Sequence, residues 1–240
     1  MIQAAHLQKR FGEIVAVRDV SLSAEKGEVL GFLGPNGAGK TTTLRMLTTF
    51  LSPSGGTACV AGFDVIRQSH EVRRRIGYLP EVPPLYGEMT VLEYLEFVAR
   101  IRGLDRRRMR SAVADVIERC SLGPVRRRLC DQLSRGFRQR AGIAQAIVHD
   151  PEVVILDEPT SGLDPQQIVQ IRELIASLAG EHTVILSTHI LAEVAMICGK
   201  VVIISEGRVV REERLDALLA RGSLEQAFLQ SIAAADAGEG

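Results

Sequence analysis

The apolar positions of this chain change rhythm along its length. Near the N-terminus, IVAVRDVSLSA and GEVLGFLG alternate loosely and predict short strands, the second running into a glycine-rich loop. A helix is expected from Lys40 to about Thr49, then the turn-rich SPSGG and a short strand, TACVAG. From about Pro80 to Leu133 the pattern becomes helical. Thr90 and Glu93 form a capping-box pair ahead of a stripe of Val91, Leu95 and Val98. Asp105 can cap a second helix, in which Met109, Ala112, Val113, Val116 and Ile117 share a face, and Gly103 separates the two. This stretch, about residues 82–140, is expected to be an inserted helical subdomain. Val153–Leu156 is a continuous apolar run, as in strands buried on both faces of a parallel sheet. Asp164-Pro165 supplies an N-cap and a first-turn proline to a helix with Ile168, Ile171, Leu174, Ile175 and Leu178 on one side. Thr183–Leu186 and Lys200–Ile204 read as further buried strands. Strands alternating with helices predict an α/β fold over residues 1–220. Residues 221–240 are expected to form a C-terminal helix and, in AAADAGEG, a tail without fixed structure.

Composition narrows the picture only slightly. The 240 residues carry 29 basic and 29 acidic side chains, so bulk charge gives no argument for nucleic acid as a partner. Cys59, Cys120, Cys130 and Cys198 form no CxxC pair and read as buried thiols of a reducing compartment. MIQAAHLQKRFG lacks the apolar core of a signal peptide. No apolar run approaches the roughly 18 residues of a membrane span, so work at a membrane would need another chain to cross it.

The chemistry concentrates in two places. Gly34-Pro35-Asn36-Gly37-Ala38-Gly39-Lys40-Thr41, followed by Thr42, fits G-x-x-x-x-G-K-[ST]. Glycines let successive N–H groups converge on a β-phosphate, Lys40 neutralises β and γ oxygens, and the Thr41 hydroxyl can ligate Mg²⁺. Asp157-Glu158 closes the Val153–Leu156 run: Asp157 can hold Mg²⁺ through water, and Glu158 can polarise an attacking water. A second anion seat is suggested by LSRGFRQR, where Ser134 precedes a helix start with bare N–H groups.

The order GPNGAGKTT, LSRGFRQR, VVILDEPTSGLDP and LSTH resembles the ATP-binding subunit of ABC transporters over nearly the whole chain, to about residue 220. That resemblance implies a P-loop NTPase core of mainly parallel sheet with an antiparallel β subdomain. ATP and Mg²⁺ would be its cofactors. It also explains the second seat: Ser134, Arg135 and Gly136 would act on ATP held by the opposite subunit of a head-to-tail dimer, and hydrolysis would separate the two copies. By the same likeness Phe11 would stack on adenine, His189 would contact the γ-phosphate and the attacking water, and Asp164 would link the two sites across the dimer. Catalysis would fall to Glu158, His189 and Lys40, and the metal to Thr41, Asp157 and Glu81. The partners implied are an integral-membrane permease and a second copy of the chain, placing it in the cytoplasm on the inner membrane face.

The chain departs from the family where LSGGQ is usual and LSRGF stands. Arg135 could strengthen a grip on phosphate or, replacing glycine, limit backbone approach. SxGxxQR is similar to the ATPases of ABC-2-type exporters and gliding-motility-type complexes, which suggests export. Glu81 stands where glutamine is common; it can still offer an oxygen to Mg²⁺ but adds negative charge. The arginine triplets 73–75, 106–108 and 126–128 read either as solvated faces or as seats for anionic headgroups or an acidic partner loop. The competing functions are a soluble ABC-class ATPase on nucleic acid or ribosomes, an ATP-binding switch without turnover, and an unrelated phosphate-loop kinase.

Overall fold

The computed structural model of the chain describes residues 1–237. The chain opens with the hairpin β1 (Ile2–Phe11) and β2 (Ile14–Ala24), then enters the buried strand β3 (Val29–Leu33), the glycine loop and helix α1 (Lys40–Leu47). Strands β4 (Gly55–Val60) and β5 (Phe63–Asp64), helix α2 (Ser69–Arg75) and strand β6 (Ile76–Leu79) follow. Helices α3 (Val91–Ile101), α4 (Arg106–Arg119) and α5 (Arg135–Ile147) fill the interval before strand β7 (Val153–Asp157). The rest runs α6 (Pro165–Ser177), β8 (Thr183–Thr188), α7 (Leu191–Ile197), β9 (Lys200–Ser205), β10 (Arg208–Arg214), α8 (Leu215–Leu219) and α9 (Leu224–Ala237).

Among the described residues ten strands form one sheet in the order β5-β4-β1-β2-β10-β9-β3-β8-β7-β6. Strands β9, β3, β8, β7 and β6 pair parallel, with Val29 opposite Val184 and Val153 opposite Thr183. Strands β2, β1, β4 and β5 pair antiparallel. Strand β10 joins the blocks, antiparallel to β9 and parallel to β2 through Arg208 and Asp19. The fold is thus mixed α/β, as the sequence predicts.

Period-two alternation divides the parallel strands between two cores. Phe32, Ile155, Ile185 and Val202 face α1 and the antiparallel strands, while Leu33, Leu156, Leu186 and Ile203 face the helices α3 to α7. Burying both faces explains the continuous apolar runs; each such side chain contributes roughly 1.5–3 kcal/mol. The capping box at Thr90 and the Asp105 cap both form. The expected C-terminal tail is corrected in part. Helix α9 continues through the alanines to Ala237 because Leu224 and Ala227 anchor its first turns in the core and alanine favours helix. Residues 238–240 lie outside the described part.

Candidate functional site

The glycine loop leaves the C-terminal end of β3, and its backbone needs glycine at specific points. Gly37 and Gly39 have φ of 82° and 99°. A Cβ on Gly34 would lie 2.4 Å from the Ile204 carbonyl oxygen, and one on Gly39 would lie 2.7 Å from that of Ala16. The loop therefore nests against β9 and the β2 hairpin. Lys40 is buried, and its Nζ donates to the Gly34 and Pro35 carbonyls at 2.7 and 3.1 Å. The Thr43 hydroxyl donates to the Gly39 carbonyl at 2.9 Å and fixes the first turn of α1.

Strand β7 delivers the two carboxylates to the same end of the sheet. Asp157 is fully buried and neither oxygen has a hydrogen-bond partner. Burial pushes its carboxyl pKa up, the neighbouring Glu158 and Glu81 carboxylates push the same way, and the Thr41 and Ser187 hydroxyls pull it down. Glu158 adopts φ of 50°, which is uncommon without glycine and turns its side chain away from the strand's alternation. Its Oε2 lies 2.8 Å from Nδ1 of His189, beyond the end of β8, and its Oε1 lies 3.4 Å from Lys40 Nζ. His189 and the phosphate-loop lysine thus meet at the Glu158 carboxylate.

These groups face a depression of about 320 Å³, lined by Asn36, Gly37, Gly39, Lys40, Thr41, Thr42, Glu81, Glu158 and His189 with Ala16 and Ser161. Two larger grooves, about 820 and 620 Å³, lie among the helices and hold no such cluster, so size is a poor guide to the chemistry. Glu81 follows β6, and its carbonyl accepts from Gln139 Nε2 of α5 at 3.3 Å. Thr41, Asp157 and Glu81 suit a hard divalent cation: the buried Asp157 carboxylate has only the Thr41 and Ser187 hydroxyls near it, neither within hydrogen-bonding geometry, and Mg²⁺ typically takes one or two carboxylates plus substrate phosphates and water.

The remaining predicted residues lie elsewhere. Ser134 caps α5 and is exposed, its hydroxyl accepting from Phe137 N at 3.5 Å. The Arg135 guanidinium packs against Gly162, and Gly136 packs against the Gln167 side chain. Asp164 caps α6, accepting from Gln167 N at 2.9 Å. Phe11 is half exposed at the end of β1, with Lys9 Nζ 5.1 Å from its ring centre. None of Phe11, Ser134, Arg135, Gly136 and Asp164 lines the depression. Arg106, Arg107 and Arg108 lie exposed on the first turn of α4, and Arg126, Arg127 and Arg128 in the loop after it. Sequence reasoning missed Thr160, Thr188 and Glu193, which form a buried polar cluster behind the site; the signal available was a glutamate on the apolar helix LAEVAMI.

Phosphate loop, strand-end carboxylates and histidine on a mixed sheet define a nucleotide-hydrolysing ATPase. The ABC transporter family pattern matches residues 17–161, and the chain belongs to that family as an ATP-binding, ATP-hydrolysing subunit. It is 41% identical to the ABC transporter ATP-binding protein NatA of Bacillus subtilis (strain 168), over 91% of each chain. It is 40% identical to the bacitracin transport ATP-binding protein BcrA of Bacillus licheniformis, over 92% of this chain and 72% of that protein. It is 38% identical to the daunorubicin resistance protein DrrA3 of Streptomyces coeruleorubidus, over 89% and 68%. Among solved structures, an ATP-binding subunit of an ABC transporter superposes with TM-score 0.87 at 27% identity, covering 96% of this chain and 99% of that one. A dimeric cassette, MJ0796, bound to ADP and Pi in a post-hydrolysis state superposes with TM-score 0.81 at 26% identity, covering 90% and 99%.

Proposed function

We propose that two copies of this chain close head to tail around two ATP molecules and drive a separate membrane permease, in the direction of export. The observation that carries this reading is the division of the site. The depression around Lys40 gathers groups for phosphate, metal and water, whereas Ser134 is exposed at the start of α5, outside that depression. A hydroxyl, free N–H groups and a helix dipole at an exposed surface suit a partner's γ-phosphate. Thr41, Asp157 and Glu81 would hold Mg²⁺, which would supply positive charge against the phosphate oxygens. Glu158 accepts a proton from the attacking water, His189 orients that carboxylate and stabilises charge developing on the γ-phosphate, and Lys40 neutralises the phosphate oxygens.

Among the described residues no helix is long and apolar enough to cross a membrane. The groove of about 620 Å³ between α3 and β6 receives the permease, with Phe50 and Ile101 exposed at its edge. Its wall, β6, leads directly into Glu81. Export follows the bacitracin and daunorubicin relatives. The test is Glu158→Gln in saturating Mg-ATP, followed by light scattering: a stable dimer with turnover reduced at least about a hundredfold is expected. A variant that stays monomeric, or that hydrolyses at the native rate, would defeat the reading.

A further inference from the structure

Behind the catalytic carboxylate lies a buried polar cluster that takes no part in the chemistry above. Glu193, in the first turn of α7, is fully buried. Its Oε1 accepts from the Thr160 hydroxyl at 2.5 Å and its Oε2 from the Thr188 hydroxyl at 2.8 Å. Arg172 Nη2 of α6 stands 3.6 Å from Oε1. Both threonines are themselves buried. The Thr188 hydroxyl also accepts from Ile190 N at 3.0 Å, so it braces the backbone on both sides of His189.

The three partners occupy informative places. Thr160 lies two residues after Glu158, whose backbone is held at positive φ. Thr188 immediately precedes His189. Arg172 belongs to the helix that Asp164 caps. A carboxylate buried without compensation is costly, so a buried glutamate persists only where its hydrogen bonds are complete. Here the two oxygens serve two different segments, the turn after β7 and the end of β8. An apolar residue at this position would bury as well but would leave both hydroxyls without an acceptor and the two segments unlinked.

We propose that Glu193 is a positioning residue for hydrolysis: it ties Thr160, in the turn after β7, to Thr188, at the end of β8, and so holds Glu158 against His189 Nδ1. The inference rests on the assignment of those two residues to hydrolysis. Misplacing a general base by about 1 Å can cost on the order of a hundredfold in rate while leaving substrate binding intact. The effect of losing Glu193 therefore falls on kcat, and ATP affinity, set by the Lys40 loop on the other side of the depression, stays in place. Glutamine retains the side chain's length and can accept from one threonine while donating to the other, so it restores most of the link.

The experiment measures ATPase kcat and KM, binding of a fluorescent ATP analogue, and thermal melting for Glu193→Ala, Glu193→Gln, Thr188→Val and Thr188→Ser. Glu193→Ala is expected to lower kcat about tenfold or more, with analogue affinity within about threefold of native. Glu193→Gln and Thr188→Ser should recover to within about threefold in kcat, since each keeps the hydrogen-bonding group. If Glu193→Ala does not fold, Thr188→Val carries the test and should lose kcat about fivefold or more at unchanged affinity. Native kcat in the folded Ala variant, or in Thr188→Val, overturns the proposal. So does a loss of kcat matched by an equal loss of affinity, which marks a merely structural role. Glu158→Gln is assayed alongside: native turnover there removes the underlying assignment, whereas its loss with an unaffected Glu193→Ala removes only the positioning role.

Discussion

At the scale of single residues, the chain withdraws two kinds of ionisable group from solvent to different degrees. Asp157 is fully buried at the C-terminal end of β7, beside Glu158. His149 is half-buried in the frame, its Nε2 3.0 Å from the Ile76 carbonyl oxygen and its pKa lowered to about 4, chiefly by loss of solvent and next by the Arg102 charge. A histidine whose folded pKa lies below its unfolded value near 6.5 is neutral in the fold and takes up a proton on unfolding. Stability is therefore complete above pH 6.5 and falls between pH 6.5 and about 4, by at most about 1.4 kcal/mol per pH unit from this group. Many carboxylates titrate in the same range, so the difference between native protein and His149→Gln isolates the effect. That difference in melting temperature is expected to be constant above pH 7 and to shift in favour of Gln as the pH drops. Parallel curves throughout would refute the assignment.

At the scale of elements, legibility followed burial. The strands β3, β7, β8 and β9 were readable because both faces are covered and the sequence is apolar throughout. Strand β10, RVVREER, was not, although it joins the two halves of the sheet: its charges are paired across the surface, Glu212 with Lys200 and Glu213 with Arg211, and mask the alternation. The helices α3 and α4 announced themselves through their caps. Thr90→Ala should cost about 1 kcal/mol. For a domain of this size that is a melting temperature lower by roughly 2–4 °C. Unchanged melting would mean the cap adds nothing to the packing of Val91 and Leu95. The site was legible where it is a motif, as in the Lys40 loop and Asp157-Glu158. It was not where it depends on packing. Gln139 under Glu81, and Glu193 against Thr160, join elements distant in sequence, and only the fold brings them together.

At the scale of the whole molecule, what matters is which surfaces lie together and which lie apart. Within one chain the start of α5 is joined to the turn before α6, with Arg135 on Gly162 and Gly136 on Gln167. A side chain larger than hydrogen at Gly162 would collide with Arg135, its Cβ lying 2.3 Å from the guanidinium carbon. The arginine that replaces the family's glycine is thus occupied by its own chain. Ser134 beside it remains exposed. If Ser134 acts on a partner's nucleotide, defects in Ser134 and Lys40 must complement one another. Each homodimer of Ser134→Arg or of Lys40→Met lacks a complete site. A mixed dimer regains one, built from the Lys40 of the first chain and the Ser134 of the second. Random mixing puts half the molecules in mixed dimers with one working site of two, so ATPase activity should recover to about a quarter of native. Were both residues to serve the same nucleotide within one chain, mixing would restore nothing, and that result would rule out the head-to-tail arrangement.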